Sequence, residues 1–123
     1  MFIRLSAILA GLAVAAGAFG AHALKEHLTP DMLAIFETAA RYQMYHALAL
    51  LAVGVLDAAL GPCRTRRAAG WCFVVGVLIF SGSLYGLSLS GIRWLGAITP
   101  IGGAAFLLGW VLLAASRAGR IRA

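Results

Sequence analysis

Charge is scarce in this chain. Its 123 residues include only four Asp and Glu, and charged residues of both signs make up 11%. A soluble domain carries roughly 25%, so an ordinary water-exposed globule is excluded. Cysteine is nearly absent as well. Cys63 and Cys72 form no CxxC and no zinc-type spacing, which removes a redox or cysteine-metal motif. They read as a loop thiol and a small core residue. A catalytic constellation is also lacking. Ser83 with His46 has no third member, and the carboxylates fall at the ends of apolar segments, so the chain reads as non-enzymatic. No carboxylate or cysteine completes a ligand set with the histidines, so no metal and no cofactor is expected.

What is abundant is apolar: 63% of the residues are hydrophobic. They gather into four segments, predicting an all-α membrane protein, a four-helix transmembrane bundle in one domain. The first span covers about 5–24 and matches the ~20 residues that cross hydrocarbon at 1.5 Å per residue. Its apolar run exceeds the 7–15 residues of a signal-peptide core, so the helix is expected to be retained despite an Ala21-His22-Ala23 site. Thr29-Pro30-Asp31 starts a helix, with Thr29 as N-cap, Pro30 at the first position and an acid at the positive end. This predicts a short interfacial helix over about 30–40, with Glu37 and Arg41 spaced i,i+4 toward water. The second span runs over about 42–60. Asp57 lies near its far end within reach of Arg64, Arg66 or Arg67, and Gly61-Pro62 stops it. The third runs over about 68–90 and holds Gly82 and Gly86 as a GxxxG. It reads as internal packing, with a homo-oligomer seam as the alternative. The fourth runs over about 94–115. Pro100, inside it, deprives the Gly96 carbonyl of its partner and predicts a bend. With Gly102 and Gly103 it forms either a structural kink or ligand-facing backbone.

Basic residues set the expected orientation. Four spans place Arg4, Arg64, Arg66, Arg67, Arg117, Arg120 and Arg122 on one side and Lys25, Arg41 and Arg93 on the other. The positive-inside rule puts both termini in the cytoplasm, facing anionic lipid headgroups. The formal charge of +6 lies at span flanks, with no soluble domain to track phosphates, so no nucleic acid is expected. No internal repeat supports a duplicated transporter.

Polar groups within the spans fall near one depth. From a boundary at Lys25, Arg41 and Arg93, His22 lies roughly 4 Å inside, His46 roughly 7 Å, and Tyr85 and Thr99 roughly 9 Å. Gln43 is shallower and Ser83 deeper. If they face inward, they converge on one cluster near the non-cytoplasmic surface. His46 and Gln43 are read first as interhelical hydrogen-bonding groups. A ligand or proton site and metal or haem ligation are the alternatives. His22 is read as reaching headgroups, and Tyr42 and Tyr45 as interfacial anchors.

The blocks GAFGAH (Gly17–His22), YQMYHALALL (Tyr42–Leu51), FSGSLY (Phe80–Tyr85), ITPIGG (Ile98–Gly103) and Gly109-Trp110 resemble the signature of the YgdD-like inner-membrane proteins, domain of unknown function number 423. A mitochondrial relative lies among the transmembrane-256 proteins. The likeness covers nearly the whole chain. It implies a four-span protein of bacterial cytoplasmic membranes with the first helix retained, and it assigns no catalytic residue. The functional expectation is a non-enzymatic membrane protein, either accessory or structural, or one that binds a lipid headgroup or small solute at the polar cluster. The alternative is a small-solute or proton permease using His46, and the third a haem or quinone protein.

Overall fold

Four stretches are long and apolar enough to cross a membrane, and in the computed structural model all four are helical. The structure describes residues 1–116. The charges of Arg117, Arg120 and Arg122 lie outside the described residues. Helix α1 spans Phe2–His22, α2 Pro30–Leu60, α3 Arg64–Ser90, and α4 Thr99–Ala114 after a 3-10 stretch over Arg93–Ala97. No strand occurs among the described residues. α1 packs along α2 and α4 along α3, so α2 and α3 form the interior pair.

The helix ends follow local chemistry. The Thr29 hydroxyl accepts from the Met32 amide at 3.3 Å, and Pro30 opens the helix as an N-cap sequence requires. Gly61 ends α2 at φ +84° and Gly91 ends α3 at φ +72°, positive-φ conformations that suit a residue without Cβ, the second of them a left-handed cap.

Two predicted breaks are not where the sequence put them. Residues 30–40 are helical but do not form a separate interfacial helix; they run unbroken into the second span as one 31-residue helix. Nothing between Ala39 and Tyr42 interrupts hydrogen bonding, and Phe36, Ala39 and Ala40 are buried against the bundle. Pro100 is not a mid-helix kink. It sits in the first turn of α4, where a missing amide hydrogen costs nothing, and the preceding residues wind as a 3-10 stretch.

The irregularity that does occur inside a span lies in α3, where Val77–Ser81 is a π-helical turn. It coincides with a close backbone approach between α3 and α4. A Cβ on Gly102 would collide with the backbone amide of Phe80 and stand 2.7 Å from its Cβ. α3 and α4 also interlock reciprocally, Gly76 receiving the Phe106 ring and Gly109 the Phe73 ring. The GxxxG plays no such part. Gly82 faces open space, and Gly86 meets only the tip of Leu95, at 3.1 Å from an added Cβ. Gly103 lies 3.9 Å from the Phe80 ring on the same measure.

The apolar core is Phe2, Ala49, Leu50, Val53, Ala69, Phe73, Val77 and Phe106. It fills the half of the bundle nearer the Arg64–Arg67 end. At that end Arg66, only 2% exposed, meets Asp57 at 3.1 Å. Of the three arginines within reach of Asp57, the fold selects the one that points inward.

Candidate functional site

α2 carries the polar groups that organise the other half. Gln43 is buried and bridges two neighbours: its Nε2 donates to the Leu9 carbonyl on α1 at 2.8 Å, and its Oε1 accepts from the Tyr85 hydroxyl on α3 at 3.0 Å. One amide thus ties three helices. Four residues earlier along the same helix, the Ala39 carbonyl accepts from Ser81 at 2.8 Å. Ser81, Tyr85 and Ser88 follow 4-and-3 spacing, one face of α3, and that spacing was the available sign that Ser81 belongs with Tyr85.

Ser83 and Thr99 form a separate pair, hydroxyl to hydroxyl at 2.7 Å, joining α3 to the start of α4. Each has one hydrogen to give. Ser83 lies 3.0 Å from the Phe80 carbonyl, and Thr99 lies 3.4 Å from that of Leu95. Whichever hydroxyl donates across the pair, the other donates to the carbonyl behind it.

His46 belongs to a third environment. Its Nδ1 is 2.8 Å from the Tyr42 carbonyl, and its Nε2 accepts from the Trp110 indole at 3.3 Å. A carbonyl only accepts and an indole only donates, so the imidazole is the neutral Nδ1–H tautomer with both nitrogens occupied. Its ring stacks on Phe106 with centroids 3.4 Å apart and planes 6° apart, and Phe73 stands 5.7 Å away. Nothing in the sequence pairs Trp110 or Phe106 with His46. Trp110 was legible only as part of a family signature block.

His22 joins none of these groups. It is exposed at the end of α1 and makes no hydrogen bond among the described residues. The predicted layer therefore resolves into a three-helix amide node, a hydroxyl pair, an aromatic-boxed imidazole and an outward histidine. Pro100 and Gly103 line a groove of about 500 Å³ beside His46, with Tyr42, Phe80 and Trp110. Gly102 is spent on the approach to Phe80. No three His, Cys, Asp or Glu side chains come together among the described residues.

The Gln43–Tyr85 node has the more open surroundings. It floors a lateral groove of about 630 Å³ between α1, α2 and α3, walled by Leu12, Phe19, Phe36 and Leu89. Phe36 and Tyr85 pack ring to ring at 4.9 Å.

The family described as "Protein of unknown function (DUF423)" matches residues 16–103, a stretch that contains Gln43, His46, Ser83, Tyr85 and Thr99. The chain belongs to the DUF423 family. It is 47% identical over 113 residues to a "UPF0382 membrane protein" of Staphylococcus epidermidis, covering 92% of this chain and 91% of that one. It is 46% identical over 113 residues to the "UPF0382 membrane protein YwdK" of Bacillus subtilis, covering 92% of each. No solved structure matches it. As a DUF423 protein it is a membrane protein with four helices fit to span, and the resemblance of its sequence blocks to that family holds.

The node invites one measurement. Tyr85→Phe removes a single interhelical bond, and Gln43→Leu removes both. In membranes such bonds are worth about 0.6 kcal/mol on average and about 1.7 at most. Unfolding titrations in detergent are expected to rank wild type above Tyr85→Phe above Gln43→Leu. Equal stability of all three would show that the node carries no net energy.

Proposed function

We propose that this DUF423 protein is a non-catalytic accessory component of the bacterial cytoplasmic membrane. It holds a lipid or comparably small amphiphile beside the Gln43–Tyr85 node. Both termini and the α2–α3 loop lie in the cytoplasm, as the basic flanks of the spans favour, and those flanks meet anionic headgroups there. The observation that carries this reading is the position of the node: two hydrogen-bonding side chains at the floor of an apolar groove that opens sideways to lipid. Gln43 keeps a second amide hydrogen beyond the Leu9 bond, a donor suited to an ester or carbonyl oxygen.

A permease has less support. A polar path from the node to Asp57 would have to pass Ala49, Leu50, Val53 and Val77, which are buried and apolar. His46 has no free nitrogen with which to relay a proton. Metal or haem ligation would have to break one of those same bonds.

Two experiments test the proposal. Ala15 lies exposed on the groove wall, and Ala15→Trp fills the space. Native mass spectrometry after detergent stripping is expected to find one retained lipid fewer per chain in that variant, and equal retention would overturn the binding site. In proteoliposomes, proton and solute leak is expected to be the same with wild type, with His46→Ala and without protein, while His46→Ala lowers thermal stability. Flux that disappears in a folded His46→Ala protein would establish the permease instead.

A further inference from the structure

A second groove, on the other side of α1 from the Gln43–Tyr85 node, holds about 340 Å³ between α1 and α2. Its floor is made of small residues. Ala13 and Ala40 are buried, and a Cβ on Gly17 would meet nothing within 4 Å. Met44 and Tyr45 extend the wall toward the middle of α2, and Glu37 and Arg41 stand at the other end. These two are one helical turn apart with the acid first, the order that favours an i,i+4 ion pair. They are nevertheless not paired. Neither takes an ion pair or hydrogen bond among the described residues, and both are exposed. Glu37 and Arg41 therefore both line the groove without pairing with each other.

Their depth follows from the length of α2. Its 31 residues span about 46 Å at 1.5 Å per residue, against about 30 Å of hydrocarbon. With Leu60 at the boundary marked by Arg64, Arg66 and Arg67, roughly twenty residues cross, and the opposite boundary falls at Arg41. Glu37 and Arg41 then lie at headgroup level, with the apolar part of the groove beneath them in the acyl region.

We infer that this groove binds a zwitterionic phospholipid, its phosphate on Arg41, its ammonium on Glu37 and its upper acyl carbons over Ala13, Gly17 and Ala40. A planar guanidinium fork suits a phosphate, and a carboxylate suits a primary ammonium. In such a headgroup the two charges are separated by a short two-carbon linker, a spacing of the same order as the ~5–6 Å between side chains one turn apart. An anionic lipid would satisfy Arg41 and be repelled by Glu37. This site rests on α2 crossing the bilayer and is independent of the amphiphile proposed beside Tyr85.

The test is lipid competition on the intact protein in mixed nanodiscs of phosphatidylethanolamine and phosphatidylglycerol, read by native mass spectrometry. Wild type is expected to retain phosphatidylethanolamine over phosphatidylglycerol by about two- to fivefold, the effect of one exposed charge pair. Glu37→Gln is expected to erase the preference while total retention stays near wild type. Arg41→Gln is expected to lower retention of both lipids. Gly17→Leu, which projects into open space, is expected to lower both with thermal stability unchanged, so a folding defect cannot imitate the result. Ala15→Trp, on the other groove, should leave the preference intact. Equal retention of the two lipids by wild type, a preference that survives Glu37→Gln, or a preference for phosphatidylglycerol would each overturn the site.

Discussion

Arg66→Ala is expected to lower the unfolding free energy by about 1–3 kcal/mol, the cost of leaving polar groups unmet where a buried guanidinium stood beside a partly exposed carboxylate. Its Nη1 lies 3.0–3.1 Å from the Leu56 carbonyl, the Gly61 carbonyl and Asp57 Oδ1. Of the two carbonyls, that of Leu56 also faces the Leu60 amide one turn on, whereas that of Gly61 lies at the cap of α2, beyond any donor within the helix. Near a membrane boundary such acceptors are satisfied by protein or by water that must be brought in. Truncation to alanine therefore takes this donor from the Asp57 carboxylate and the Gly61 carbonyl and opens a cavity between α2 and α3. The paired variant Arg66→Met with Asp57→Leu is expected to recover part of the loss, because neither charge is then left alone. Chemical unfolding in mild detergent measures all three proteins. An Arg66→Ala protein as stable as wild type would mean that the guanidinium contributes nothing net.

Gly102→Val is expected to be the second severe change, while its neighbour Gly103→Ala is expected to be nearly silent. At Gly102 the added atoms would meet the backbone of Phe80, with the Phe80 Cα 2.8 Å from the new Cβ. A flexible side-chain tip could swing aside, but backbone inside a π-helical turn cannot without moving α3. Overpacking of this kind costs about 1–3 kcal/mol and sometimes more, and here it also threatens the adjacent Ser83–Thr99 bond. At Gly103 the nearest atom is the Phe80 ring at 3.9 Å, an ordinary contact, and alanine is the better helix former. Its stability is expected to stay within about 0.5 kcal/mol of wild type or rise. Thermal melts of the two variants side by side check this. Comparable losses at both positions would indicate general intolerance to volume rather than one backbone approach.

Much of the candidate site was legible in one coordinate and not in the other. Counting residues from charged boundaries places Gln43, Tyr85, Ser83 and Thr99 in the same half of the bundle, and they do bond in pairs. The same count places His22 and His46 beside them, yet one faces outward and the other lies among Phe106, Trp110 and Phe73. Depth is a sum of rises along each helix axis. Facing depends on how each helix is rotated, and that rotation is chosen by partners far away in sequence. The Leu9 carbonyl shows the limit most clearly, because a backbone acceptor carries no side-chain signal.

Local chemistry by itself determined the number of spans, the Thr29 cap, the Gly61 stop and the choice of a membrane as solvent. Each of these rests on the transfer of neighbouring side chains or on hydrogen bonds within a few residues. Tertiary packing alone decided that Pro30–Leu60 runs as one helix, that Pro100 opens α4, that α3 carries a π-turn against Gly102, and that Arg66 is the arginine taken inside. Those outcomes depend on which surfaces meet, and the energy of a close contact exists only once both helices are in place.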